Sequence, residues 1–181
     1  MSSALLRSLS KVEQPQGIAF AVSMPTQSPD GPLDGAALLL DRIQDPGNLG
    51  TLLRTAAAAD IGQVFLSEGC ADVWSQKVLR SAQGAHFNLS LYEQVDLHHL
   101  IRHSKVQVFA TSLDDAQSLY QIRIPSSAAW VFGNEGQGVE AALQQKATAR
   151  VFIPQSARVE SLNVAIAAGI CLFEQRRQSL A

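Results

Sequence analysis

Two cysteines, Cys70 and Cys171, are all that this sequence of 181 residues contains. So few exclude the disulfide framework of a small secreted domain and make a reducing cytoplasm the default. Cys171 falls within an apolar segment and reads as a small buried hydrophobe. No apolar run approaches the ~20 uninterrupted residues that span a membrane. The first fourteen residues lack the roughly 7–15-residue apolar stretch of a signal peptide. A basic excess is missing too. The 14 Lys and Arg against 16 Asp and Glu leave a net charge of −2, which argues against a nucleic-acid binder that relies on its own charge. Zinc-type cysteine spacing, the Gly-x-Ser-x-Gly elbow, the P-loop and the G-x-G-x-x-G fingerprint are all absent. His99 and His103 stand four apart but have no evident third ligand, and read as a wet helix face rather than a metal pair.

What is present is an alternation of elements. Hydrophobic content of 46% with 17% charged residues suits one globular domain with a sizeable core. Strand-like runs occur at Ile18–Val22, Ala37–Asp41, Gln63–Ser67, His86–Leu91, Val106–Thr111, Ala128–Gly133 and Arg150–Ile153. Helical patterns cover Leu49–Ala59, Trp74–Ala82, Leu97–His103, Val139–Lys146 and Asn163–Arg177. Leu38-Leu39-Leu40 and Trp130-Val131-Phe132 are continuous apolar runs, the mark of strands covered on both faces. The alternation predicts an α/β fold, a mostly parallel sheet with helices on both faces. No internal repeat is visible. Ser23–Gly35, with three prolines and two glycines, reads as a linker.

Three polar constellations interrupt this frame. In the first, strand Ala37–Asp41 ends at Asp41, a Pro46-Gly47 turn follows, and Asn48 is expected to cap the next helix. Leu49, Leu52, Leu53 and Ala56 form its buried stripe, with Arg54 off the stripe about a turn and a half beyond Asn48. The bland reading is a capping Asn and a solvated Arg. The second is Gly133-Asn134-Glu135-Gly136-Gln137-Gly138, directly after a strand. Its bland reading is a tight turn before a helix. The third runs from Ile153-Pro154 through Ser161-Leu162-Asn163 into a helix with no charged residue from Val164 to Phe173. Here Ser161 or Asn163 would cap the helix. So apolar a helix must be buried on several faces, in a core or against a second subunit.

Together these stretches resemble the three motifs of the SpoU/TrmH family of RNA ribose 2′-O-methyltransferases, within the SPOUT superfamily. The resemblance covers roughly Gly17 to Gln178. It implies a SPOUT fold with a deep C-terminal trefoil knot, a feature that periodicity would not suggest. It implies a homodimer, with no metal and no membrane, and methyl transfer from S-adenosyl-L-methionine to a ribose 2′-hydroxyl of RNA. Carried over, the catalytic set is Asn48, Arg54, Glu135, Ser161 and Asn163. The cofactor set is Gly133, Asn134, Glu135, Gly136, Gly138, Ile153, Pro154, Leu162 and Asn163. A carboxylate at Glu135 would repel a pyrophosphate but is compatible with a sulfonium cation. The family often has a glycine in the third loop, and Gln155-Ser156-Ala157 supplies none.

Arg54 is implied to face the ribose and phosphate. A guanidinium keeps its proton in proteins, so a positioning and electrostatic role is expected of it rather than a basic one. In many relatives a small RNA-binding domain and a linker precede this point, so residues 1–35 are expected to be the end of an upstream region and the first strand, and residues 36–181 the catalytic domain. That architecture favours ribosomal over transfer RNA as substrate. Two other readings compete: an inactive module that binds RNA or cofactor, and a nucleotide-dependent oxidoreductase. The complete polar set counts against the first, and the missing dinucleotide fingerprint against the second.

Overall fold

A computed structural model of the chain describes residues 31–180, together with Val22, Ser23 and Pro29. The expected strand Ile18–Val22 lies outside the described residues, save for Val22. From residue 37 onward the strands are β1 Ala37–Asp41, β2 Gln63–Leu66, β3 Ser90–Tyr92, β4 Val108–Thr111, β5 Gln117–Ser118, β6 Ala129–Gly133 and β7 Ala149–Phe152. The helices are α1 Pro46–Ala58, α2 Gln76–Ala82, α3 Leu97–Arg102, α4 Ala141–Lys146 and α5 Val164–Ser179. All seven strands form one sheet, in the order β3-β2-β1-β6-β4-β7-β5. Every pairing is parallel.

The continuous apolar runs lie where a doubly covered sheet requires them. Every residue of β1 and β6 is buried. Alternate side chains feed two layers. Leu38, Leu40, Trp130 and Phe132 pack with α1, α2 and α5. Ala37, Leu39, Ala129 and Val131 pack with α3 and α4. The Trp130 indole N–H donates to Gln175 Oε1 of α5 at 2.7 Å, which satisfies a polar group in the core. The Gln175 amide in turn donates to the carbonyls of Pro125, Ser126 and Ala128. Gln178 accepts from the Ile124 amide at 2.9 Å. Two glutamines thus dock α5 onto the segment that leads into β6.

Two expectations are corrected, and one pair of elements was not expected at all. The segment His86–Leu91 is not one strand. Ala85–Asn88 is a 3-10 turn and only Ser90–Tyr92 pairs with β2. Gln83 and Gly84 take left-handed φ values of 51° and 85°, which turn the chain before it can extend. Strand β5 and the 3-10 turn Leu119–Gln121 carry too short a pattern to be read from sequence. Helix α1 begins at Pro46, and its N-cap is Asp45 rather than Asn48. Proline at the first helical position has no N–H to lose and its φ is already helical. Within the single chain, α5 is buried along one stripe, at Ala165, Ala168, Cys171, Leu172 and Gln175. Ile166 and Phe173 remain 56% and 48% exposed.

Candidate functional site

The register of the two central strands sets Asp41 opposite Gly133, so the loops after β1 and β6 leave the sheet side by side. Gly133 is required there by space. A Cβ on it would stand 2.1 Å from the backbone of Gly138 and Val139. The loop closes on itself through Asn134, whose Oδ1 accepts from the amides of Gly136 at 2.9 Å and Gln137 at 3.1 Å. Gly138 completes the turn at φ +70°, where a side chain would be strained.

Glu135 sits at the tip of this turn and reaches into the loop after β1. Its carboxylate accepts from the Gln44 amide at 3.2 Å, the Asp45 amide at 3.1 Å and the Asn48 side-chain amide at 3.1 Å. Burial pushes this carboxyl up. Hydrogen bonds from Asn48, its own amide, Gln44 and Asp45 outweigh burial and hold it below the usual carboxylate range. The group is therefore anionic at neutral pH and committed to the first motif.

Asn48 can join this network because it does not cap α1. The Asp45 carboxylate takes that role, accepting from the Asn48 backbone N–H at 2.8 Å, and the Asn48 side chain is left free. Its Nδ2 donates to Glu135, and its Oδ1 accepts from Asn163 Nδ2 at 2.9 Å. Of the two expected candidates, Ser161 and Asn163, it is Asn163 that caps α5, with Oδ1 accepting from the amides of Ala165 and Ile166. Glu135, Asn48 and Asn163 thus form one hydrogen-bonded chain across the three motifs.

Arg54 and Ser161 are not in this chain. Six residues along α1 carry Arg54 about 9 Å up the axis and roughly 120° around it from Asn48. It is exposed, and its side chain makes no hydrogen bond or ion pair among the described residues. Ser161 is exposed and Leu162 half-buried on the loop before α5. In that loop the Gln155 side-chain amide donates to the carbonyls of Val159 and Glu160, so a side chain braces a path in which no glycine occurs. Ile153 is half-buried against the main core and Pro154 is exposed.

One stretch escaped the sequence reading. Strand β4 lies between β6 and β7, so its end, Thr111-Ser112-Leu113, emerges between the second and third motifs. The Ser112 amide donates to the Val151 carbonyl at 3.1 Å, and Leu113 is 61% exposed. Nothing in the local pattern gives strand order, so no sequence signal marked these residues. Asp114 and Asp115 follow in a bend, and Asp115 pairs with Arg150. Two open clefts elsewhere, of about 820 and 500 Å³, include none of the network residues. His99 and His103, on the rim of the larger cleft, are both exposed with ring centroids 4.2 Å apart.

The geometry agrees with what comparison with known proteins finds. The model of the SpoU rRNA Methylase family matches residues 35–173. The 23S rRNA (guanosine(2553)-2′-O)-methyltransferase RlmP of Bacillus subtilis is 39% identical over 183 residues, which cover 97% of this chain and 71% of RlmP. The AdoMet-bound rRNA methyltransferase of Sinorhizobium meliloti superposes with a TM-score of 0.76 at 37% identity, over 81% of this chain and 57% of that one. A structure described as an RNA 2′-O ribose methyltransferase superposes at 0.83 with 28% identity, over 99% of this chain and 71% of the other.

Proposed function

The chain belongs to the SpoU rRNA methylase family, and from that premise we propose that it methylates a ribose 2′-hydroxyl of ribosomal RNA using S-adenosyl-L-methionine. The observation that carries the reading is the chain Glu135–Asn48–Asn163, which gathers three distant motifs at adjoining strand ends.

The residues present fit the cofactor. The ends of β4, β6 and β7 lie side by side. Leu113, Ile153 and Leu162 offer apolar surface to an adenine. Gly138 leaves open space where a side chain would stand, and a Cβ on Gly136 would meet Asn134 Oδ1 at 3.6 Å. Glu135 and its surroundings suit a sulfonium better than a phosphate. We assign Gly133, Asn134, Gly136, Gly138, Ile153, Pro154 and Leu162 to the cofactor site on this basis. When bound, the cofactor would supply an electrophilic methyl group for the ribose 2′-oxygen.

The protein's part is placement. Glu135 fixes the loop after β1 through three donors. Asn48 and Asn163 fix the start of α1 relative to the start of α5. Arg54, without a carboxylate partner among the described residues, can hold a ribose or a phosphate and favour the charge that grows on the 2′-oxygen. Ser161, on the open side of the third loop, can accept or donate a hydrogen bond to the same ribose.

We further propose a homodimer, supported by the exposed Ile166 and Phe173 of α5, and a catalytic unit of residues 36–181. A trefoil knot is supported by strand order. The chain runs from β4 out to β5 at the edge, back inside to β6, then between them to β7. The cytoplasm is the proposed compartment, in keeping with Cys171, whose buried thiol is pushed up to about 12. The test is incubation of purified chain, ribosomal RNA and cofactor, followed by mass mapping of 2′-O-methyl sites. A chain that fails to bind S-adenosylmethionine at millimolar concentration rules the proposal out.

A further inference from the structure

Resting on the cofactor reading above, we infer that Asp41 and Arg42 are positioning residues that set the Gly133–Gly138 turn for S-adenosylmethionine, with Arg42 acting through Gln137. Neither belongs to the Glu135–Asn48–Asn163 chain, yet both close on the turn that follows β6. Asp41 ends β1 with 2% exposure. One of its oxygens, Oδ2, accepts from the Glu140 amide at 2.9 Å, just beyond the turn. Arg42 straddles the same carboxylate, Nε to Oδ1 at 2.8 Å and Nη2 to Oδ2 at 3.0 Å. Its remaining nitrogen, Nη1, donates to Gln137 Oε1 at 3.1 Å. The Arg42 carbonyl accepts from Asn134 Nδ2 at 3.0 Å. Two consecutive residues therefore grip the turn at its start, its tip and its exit.

The backbone of Arg42 shows that this grip has a cost. Its φ is 55°, in the left-handed region that residues with a Cβ seldom occupy. Such conformations persist where the surroundings over-determine them, and they cluster at functional sites. Here the Arg42 N–H donates to Ser67 Oγ at 2.9 Å, and Gly69 leaves room, since a Cβ there would meet Arg42 Cγ at 3.4 Å. The left-handed backbone aims the guanidinium at Asp41 and Gln137 together. A planar fork can serve both partners; an ammonium cannot. The other supports of the turn lie elsewhere, because Glu135 is committed to residues 44–48 and Asn134 Oδ1 to its own loop. The amides of Gly136, Gln137 and Gly138 all donate to Asn134, and Arg42 holds that turn from outside, through its carbonyl to Asn134 and through its guanidinium to Gln137.

Gln137→Ala is the first test, because it leaves the Asp41–Arg42 pair whole and touches an exposed residue, so folding is preserved. Calorimetry should show S-adenosylmethionine bound about tenfold more weakly. Steady-state kinetics should show KM for the cofactor raised more than kcat is lowered. Arg42→Lys, which keeps a cation beside Asp41, should lose about the same affinity, and the two changes combined should lose no more than either alone. Hydrogen exchange at the amides of Gly136 to Gly138 should quicken in both variants without cofactor while the amides of β1 and β6 keep their protection, a local pattern that a loss of overall stability alone would not give. Variants that bind and exchange like the wild type, when the wild type does bind, overturn this inference alone. A wild-type chain that binds no S-adenosylmethionine overturns the methyltransferase reading, and this inference with it.

Discussion

Asn163 donates its side-chain amide to Asn48 Oδ1 at 2.9 Å, joining residues 115 positions apart. The same Asn163 caps α5 with its other side-chain atom. One side chain therefore fixes where the last helix starts and holds the first motif against it.

Asn48→Ala should remove two bonds at once, to Glu135 and from Asn163. Methyl transfer should fall by about 10²–10³, as for loss of a preorganised polar partner. A double-mutant cycle with Asn163→Ala in urea unfolding should give a coupling of about 1 kcal/mol. Strict additivity would show that the bond carries no coupling.

Acid should loosen the site before it unfolds the chain. Burial raises the Glu135 carboxyl, but its hydrogen bonds, led by Asn48, bring it net below its usual value of 4.5. Its contribution is therefore present above the unfolded pKa and lost as pH falls through the folded one. Glu174 behaves likewise, held at about 2 by the Arg177 and Gln178 side chains. Urea unfolding from pH 7 to pH 2 should show stability declining below about 4.5, with a shallower decline in Glu135→Gln. Identical pH profiles for the two proteins would refute the assignment.

Arg54→Ala should abolish transfer, about 10²–10³ in rate, while the melting temperature stays within about 2 °C because the residue is exposed and fills no core space. Arg54→Lys should recover little. Single-turnover assays on the RNA target decide, and near-normal turnover in the Ala variant removes Arg54 from the mechanism.

Two glycines should be intolerant for a purely spatial reason. An added Cβ at Gly50 would come within 1.8 Å of Ser81 Oγ and 2.8 Å of the Val78 carbonyl, where α1 and α2 touch. Gly50→Ala should cost about 1–3 kcal/mol in thermal unfolding, the usual range for overpacking. Gly133→Ala meets backbone instead of a movable side chain and should lose more. Unchanged melting of Gly133→Ala would mean that the turn is looser than its contacts imply.

Light scattering at micromolar concentration should report about twice the 19.4 kDa of the chain. Phe173→Glu, at a half-exposed position on α5, should shift the species to monomer without unfolding it. An active wild-type monomer would refute the dimer.

The α/β frame and most of its elements are legible in the local pattern, because burial on both faces writes continuous apolar runs into β1 and β6 and a stripe into α1. It also marked Asn48, Glu135 and Asn163, whose types and positions at element ends are local properties. Their partners follow from long-range packing. Asp45 takes the cap because Pro46 fixes the start of α1, and that frees Asn48 for bonds 87 and 115 residues away. Strand order inserted β4 between β6 and β7, bringing Ser112 and Leu113 to the site. The grip of Arg42 on Gln137 needs a left-handed residue and a neighbouring loop, neither of which a periodic pattern encodes. Local sequence specifies which backbone a segment prefers. Which distant side chain meets its free donor is settled when the sheet closes.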